Sequence, residues 1–194
     1  RSTEQDLRPH RSGSGEFETA AGQDYRRRMG EKQRSQIEMS DGEVQNFIEQ
    51  SRTATMATIG PDGMPHLVAM WFGLIDGEVW FETKAKSQKV VNLRRDNRMT
   101  VMVEDGLTYD TLRGVALEGT ADVIEDPDAL WALGVNVWER YNGPYSDEVK
   151  PFVEVMLNKR VAVRLNVSRV RSWDHTKLGM PAMPVGGTTA PAAD

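Results

Sequence analysis

Cysteine is absent from all 194 residues. That excludes disulfides, thiolate nucleophiles, iron–sulfur clusters and cysteine-ligated zinc. Histidine is almost absent: His10, His66 and His175 are the three present. They are too few for a His-rich metal centre or a His-x-x-x-His protease helix, and the expected metal content is none. No run reaches the roughly 18 to 20 apolar residues of a membrane-spanning helix. No charged-then-apolar leader opens the sequence, so the expected compartment is the cytoplasm. Neither G-x-G-x-x-G nor G-x-x-x-x-G-K-[ST] occurs, which removes the Rossmann and P-loop phosphate sites. Chemistry carried by a bound organic cofactor remains open.

What is present divides near residue 36. Residues 1–36 hold eight Lys/Arg and six Asp/Glu, and Leu7 is their one branched aliphatic residue. Such a stretch cannot bury enough apolar area to offset its ordering entropy, so a disordered tail is expected there. The run Arg11-Ser12-Gly13-Ser14-Gly15-Glu16-Phe17 reads like a cloning linker, with Met29 or Met39 as candidate native starts. The whole chain carries −5; removing the tail's +2 leaves 37–194 at −7. An acidic domain of this kind does not attract nucleic acid through bulk charge. The expected folded domain is 37–178, followed by a Pro- and Gly-rich flexible tail at 179–194.

Within the domain, Ser40-Asp41-Gly42-Glu43 is a capping box, and Val44, Phe47 and Ile48 follow at helical spacing. A helix is expected over 41–50. Next come strand-like 54–59, the turn Gly60-Pro61-Asp62-Gly63, an apolar run over 64–75, the turn Asp76-Gly77 and strand-like 78–83. These three runs predict an antiparallel meander. Both parities of the middle run are apolar, which predicts a strand covered on both faces, as in a barrel whose outside meets a partner subunit. An amphipathic helix over 87–96 with Ser87 as its cap, strands over 99–103 and 112–124, helices opening at Asp126-Pro127 and over 147–157, and a last strand over 160–167 complete the reading. Strands with short helices inserted, instead of alternating, indicate an α+β or small-barrel fold.

The most informative segment runs from Trp80 to Arg98. It places Thr83 at a strand end, Lys84, Lys86 and Lys89 around a short loop, and Ser87 at a helix start. Backbone N–H groups at a helix N-terminus, reinforced by hydroxyl and ammonium donors, bind phosphate. The same spacing also describes a capped surface helix with solvated lysines.

Two stretches carry a resemblance: Ala57-Thr58-Ile59-Gly60-Pro61-Asp62-Gly63-Met64-Pro65-His66-Leu67-Val68-Ala69-Met70-Trp71-Phe72, and Lys89-Val90-Val91-Asn92-Leu93-Arg94-Arg95-Asp96-Asn97-Arg98. Over about residues 40–175 the chain resembles the flavin- and deazaflavin-binding split β-barrel family related to pyridoxamine 5′-phosphate oxidase. The resemblance implies an antiparallel split β-barrel and a homodimer with the cofactor at its interface. It also implies that Thr83, Lys84, Ser87, Gln88 and Lys89 hold the cofactor phosphate while the backbone of Val68, Ala69, Met70 and Trp71 lies along the tricyclic ring. The segment from Arg169 to Gly179 departs from the arginine-and-histidine pattern with which the oxidases bind their substrate phosphate. The Asn-Leu-Arg-Arg-Asp helix and the Trp-Asp-His ending look more like the branch that uses coenzyme F420. Its glutamate tail would give Lys86, Arg94 and Arg98 further anions to bind.

The resemblance therefore implies hydride transfer from reduced F420 to an unsaturated small molecule, with His175 as candidate assisting acid and Trp173 and Tyr109 as pocket walls. His175 beside Asp174 also reads as a surface polar pair, and His66 as a satisfied structural histidine. The alternatives are an FMN-dependent oxidoreductase on the same phosphate site, a haem-binding barrel using His66 or His175 as axial ligand, and a non-catalytic cofactor carrier.

Overall fold

The computed structural model describes residues 34–185, and apart from a helical stretch at 34–37 its regular elements belong to one compact unit that begins at Gln36. In chain order they are α1 (Asp41–Gln50), β1 (Ala54–Ile59), β2 (Pro65–Met70), β3 (Gly73–Ile75), β4 (Glu78–Lys84), α2 (Gln88–Arg95), β5 (Arg98–Asp105), β6 (Arg113–Ile124), α3 (Pro127–Tyr141), α4 (Lys150–Leu157) and β7 (Arg160–Asp174). Short 3₁₀ turns at Asp147–Val149 and His175–Leu178 precede α4 and follow β7.

The seven strands form one sheet in the order β2-β1-β5-β6-β7-β4-β3, with every pairing antiparallel. β2 and β3 are therefore opposite edges, yet only Trp71 and Phe72 separate them in sequence. Three Cα steps of about 3.8 Å cap the distance between Met70 and Gly73 at roughly 11 Å. The sheet must curl until its two edges nearly meet, and they do not pair: this is the antiparallel split barrel that the resemblance implies. A bulge in the β6–β7 ladder at Glu118/Gly119 helps the long strands bend.

The inward-facing positions build the core, from Ala54 and Met56 of β1 through Phe72, Phe81, Val101, Val115 and Val163. A second cluster on the outer face, with Trp80, Leu133, Val137 and Ala162, seats α3 against the sheet. Asp126 caps α3 by accepting from the Ala129 amide at 2.8 Å, with Pro127 following. Asn136 of α3 uses its amide to satisfy the backbone of edge strand β3, accepting from Leu74 N at 2.9 Å and donating to Leu74 O at 2.8 Å. Glycine at position 73 is what permits this approach, since a Cβ there would lie 2.6 Å from Leu133 Cδ1.

Several expectations change. The 64–75 run is two strands broken at Trp71–Phe72, so the expected three-strand meander is two hairpins at opposite edges of the sheet. β2 is not covered on both faces within this chain: Leu67, Ala69 and Trp71 face outward and are exposed, while His66, Val68 and Met70 are half-buried. The last strand continues seven residues past Val167 to Asp174, because its far half pairs with the start of β6. The helix expected over 147–157 is a 3₁₀ turn followed by α4. The expectation for 1–36 falls almost entirely outside the described residues; 181–185 have no regular structure, and 186–194 lie outside the description.

The C-terminal turn clasps the start of α1. Lys177 Nζ donates to the Glu43 carboxylate and to the Glu38 carbonyl, both at 2.8 Å, and Ser172 Oγ accepts from Met39 N at 3.0 Å. The Lys177 hydrogen bond, followed by those from Ser40, lowers the Glu43 pKa from 4.5 to about 2. A carboxyl depressed on folding stabilises the fold fully above its unfolded pKa and loses that contribution as pH falls through its folded pKa. Glu43→Gln should therefore lower the urea midpoint at pH 7 relative to the parent chain, with the gap closing between pH 4.5 and about 2. A gap of equal size at both ends of that window would show that the clasp contributes nothing.

Candidate functional site

The opening in the curled sheet has four sides. β2 is one. The second is the outer part of β4: β3 pairs only with Glu78–Trp80, so residues 81–84 have no strand neighbour on that side among the described residues. The Trp71–Phe72 link closes one end. At the other end α2 crosses over: Asn92 Nδ2 donates to Thr58 Oγ1 at 3.0 Å, and the Arg95 guanidinium donates to the Ile59 carbonyl. Thr58 stands opposite His66 in the β1–β2 ladder. The ring-lining segment and the phosphate segment of the sequence reading thus border one opening.

At the β4–α2 corner three polar side chains converge. Thr83 is 3% exposed; its Oγ1 lies 3.4 Å from Ser87 Oγ and accepts from Lys89 Nζ at 3.2 Å. Ser87 occupies the N-cap position of α2 with extended backbone, but its hydroxyl makes no capping bond. It turns to Thr83 instead, which corrects the expected cap. The first-turn N–H groups of α2 keep no side-chain acceptor, and their partial positive charge faces the same corner as Lys89. Burial pulls the Lys89 pKa below its usual value, and Arg160 adds to that, against the attraction of Glu82. Glu82 pairs with Arg160, yet burial outweighs the pairing and raises its pKa. An ammonium desolvated in this way gains from an incoming anion.

The other expected site residues are placed as follows. Val68 and Met70 pack against the core from their half-buried side, while Ala69 and Trp71 face outward. Gln88 Nε2 donates to Asn92 Oδ1 at 2.8 Å, which makes it a brace for α2. Lys84 donates to the Asn158 carbonyl at 2.6 Å; Arg94 pairs with Glu125; Arg98 pairs with Asp96 at 2.6 Å. Lys86 is exposed and makes no hydrogen bond or ion pair. Among the described residues no cluster of His, Asp and Glu could hold a metal.

Trp173 and His175 are not brought to this corner within one chain. Trp173 stands thirteen residues beyond Arg160 on β7, about 40 Å of strand path at roughly 3.3 Å per residue. Its ring fills the space over Gly114, where a Cβ would meet Trp173 Cζ2 at 2.3 Å. His175 does not pair with Asp174, whose carboxylate instead accepts from Thr176 N and Oγ1 at 3.0 and 2.6 Å. His175 Nδ1 is 2.7 Å from the Tyr109 carbonyl, and the two rings lie 4.4 Å apart. His66 is not satisfied: its Nδ1 is buried without a partner.

Sequence reasoning missed Thr58 and Asn92, both fully buried, and the Glu82–Arg160 pair. The signal available was a polar residue at an inward position of an otherwise apolar strand or helix face. It also missed Tyr141, whose hydroxyl accepts from Phe72 N at 3.0 Å and lies 2.8 Å from the Arg52 carbonyl.

Comparison with known proteins adds relatives to this geometry. A family model described as pyridoxamine 5′-phosphate oxidase matches residues 40–174. An F420H(2)-dependent biliverdin reductase of Mycobacterium tuberculosis is 28% identical over 116 residues, 58% of this chain and 80% of the relative. The crystal structure of a conserved hypothetical protein from Mycobacterium tuberculosis superposes with a TM-score of 0.78 at 63% identity, covering 81% of this chain and 98% of that one. A structure named F420 reductase shares the fold at 24% identity and a TM-score of 0.51, over 68% of this chain and 98% of its own.

The Thr58–Asn92 bond fastens the corner to β1. Asn92→Ala should destabilise the fold by about 1 to 3 kcal/mol, the cost of a buried hydroxyl left without its donor. Thr58→Val combined with Asn92→Leu should cost less than the sum of the two single changes. Chemical denaturation of the four proteins checks this, and strict additivity would dissolve the pair.

Proposed function

The chain belongs to the pyridoxamine 5′-phosphate oxidase family, and on that premise we propose that it is an F420-dependent reductase acting on an unsaturated small molecule. The supporting observation is the corner formed by Thr83, Ser87, Lys89 and the uncapped first turn of α2. A buried hydroxyl, a second hydroxyl and a desolvated ammonium at a helix N-terminus suit a phosphate. Lys86, exposed and unpaired, is the loop cation left for a further anion. The relatedness to a biliverdin reductase that uses F420H(2) favours the deazaflavin over FMN.

When bound, the cofactor supplies hydride to an electron-poor double bond, and a solvent proton completes the reduction. The chain's own part is to bind, align and shield. Thr83, Ser87 and Lys89 would hold the phosphate end. The backbone of β2 and the unpaired part of β4 would border its ring. The Trp71–Phe72 link limits water at one end of the opening. Trp173 and His175 lie at the far end of β7 from Arg160, and a second copy of the chain would bring them to the Lys89 corner; a homodimer is part of this reading.

Titrating the purified protein with F420, FMN and haem, and following absorbance and fluorescence, tests the proposal. F420 should bind, and Lys89→Ala should weaken it by roughly 10- to 100-fold, the loss of one charged hydrogen bond. FMN binding without an F420 response would overturn the choice of cofactor. Unchanged F420 affinity in Lys89→Ala would remove the phosphate assignment. Binding without any oxidation of reduced F420 across enones and quinones would make the protein a carrier.

A further inference from the structure

The Trp71–Phe72 link is held more tightly than bridging two strands requires. Tyr141, the last residue of α3, accepts from Phe72 N at 3.0 Å, and its hydroxyl lies 3.2 Å from Phe72 O and 2.8 Å from Arg52 O. The neighbouring Arg140 places its guanidinium 4.6 Å from the centre of the Phe72 ring. It also donates to the carbonyls of Ile48, Glu49 and Ser51 at 3.0, 2.9 and 2.5 Å, closing the C-terminus of α1.

Phe72 is fully buried, while Trp71 turns outward and is 55% exposed. Its indole lies flat on the Tyr141 ring, with centroids 4.3 Å apart and an interplanar angle of 4°. One face of the indole is thus covered by a ring whose hydroxyl is fixed to backbone, and the residue remains exposed at the edge of the opening. A large aromatic held rigid and left exposed offers area at little entropic cost. Core packing accounts for Phe72 and leaves the exposure of Trp71 unexplained.

We propose that the Trp71–Tyr141 stack is a substrate platform that selects flat, conjugated acceptors over small or puckered ones. The inference rests on the reductase reading for its catalytic arm only. A planar π-system laid on the open indole face extends the stack by one ring and sits beside the outer end of β2, the strand that flanks the cofactor ring. A puckered enone cannot make that contact over its whole area. Tyr141 acts through Trp71 as a positioning residue, because its ring backs the indole and its hydroxyl fixes the backbone that carries it.

Two readouts test this. In the cofactor-free protein, 1,4-naphthoquinone should bind saturably, measured by equilibrium dialysis. Trp71→Leu should weaken that binding roughly 3- to 10-fold, as expected for one lost aromatic contact, and Trp71→Phe should restore most of it. In the cofactor-loaded protein, the ratio of the naphthoquinone KM to the 2-cyclohexen-1-one KM should rise by the same factor in Trp71→Leu and recover in Trp71→Phe. Far-ultraviolet circular dichroism and thermal midpoints identify any variant that fails to fold, and Trp71→Phe then carries the comparison. Equal quinone binding in all three proteins overturns the platform. A loss confined to F420 affinity assigns the ring to the cofactor instead. A change in sedimentation mass with an unchanged KM ratio assigns it to a subunit interface. If the parent chain binds neither F420 nor FMN, the reductase reading fails, and the dialysis arm still decides the platform.

Discussion

Two residues hold the sheet shut. Because β2 and β3 are its opposite edges and only Trp71 and Phe72 lie between them, the chain cannot be laid out flat; the curl follows from connectivity before any side chain is considered. Everything near the opening inherits that constraint. The anchoring of the link by Tyr141 and Arg140 ties three otherwise separate elements, α1, α3 and the edge of the sheet, to one point. The link joins β2 to β3, and β3 pairs with the start of β4, so the separation of β2 from β4 is fixed at that end and set at the other by α2.

The electrostatics around α2 refine the simple picture of a basic loop in an acidic protein. Of the cations between Lys84 and Arg98, four are already committed: Lys84 to a carbonyl, Arg94 to Glu125, Arg95 to the Ile59 carbonyl and Arg98 to Asp96. Those bonds shape the corner and do not recruit ligands. Lys89 differs because it is partly desolvated and its side-chain hydrogen bond goes to a neutral hydroxyl. A count of basic residues overstates the charge a ligand would meet, and burial shows which ammonium is under strain.

Much of the fold was legible because local signals agreed with one another. The capping box at Ser40, the Asp126-Pro127 start of α3 and the Asp76-Gly77 turn all formed where the residues placed them. The Asp76-Gly77 turn has φ of 53° and 78°, as a tight hairpin requires. The breaks were in places where local pattern carries no information. Nothing in the apolar run 64–75 marks Trp71–Phe72 as a crossing between sheet edges, since each residue is a good strand former and the crossing is decided by which partners the flanking strands find. The length of β7 likewise depends on β6 being available beyond Val167. At the site, spacing located Thr83, Ser87 and Lys89 but could not show that Ser87 gives up its cap to face Thr83, or that Trp173 and His175 lie a whole strand away.

The unpaired stretch of β4 from Phe81 to Lys84 has a consequence of its own. Along an antiparallel strand every second residue turns its amide and carbonyl away from the paired side, so this stretch presents main-chain donors and acceptors to the opening. Whatever lies there is met by atoms that are the same in every amino acid. Side-chain exchange at these positions would leave such main-chain contacts largely untouched. Recognition by such a strand would be written partly in a form that residue-by-residue comparison of sequences cannot register.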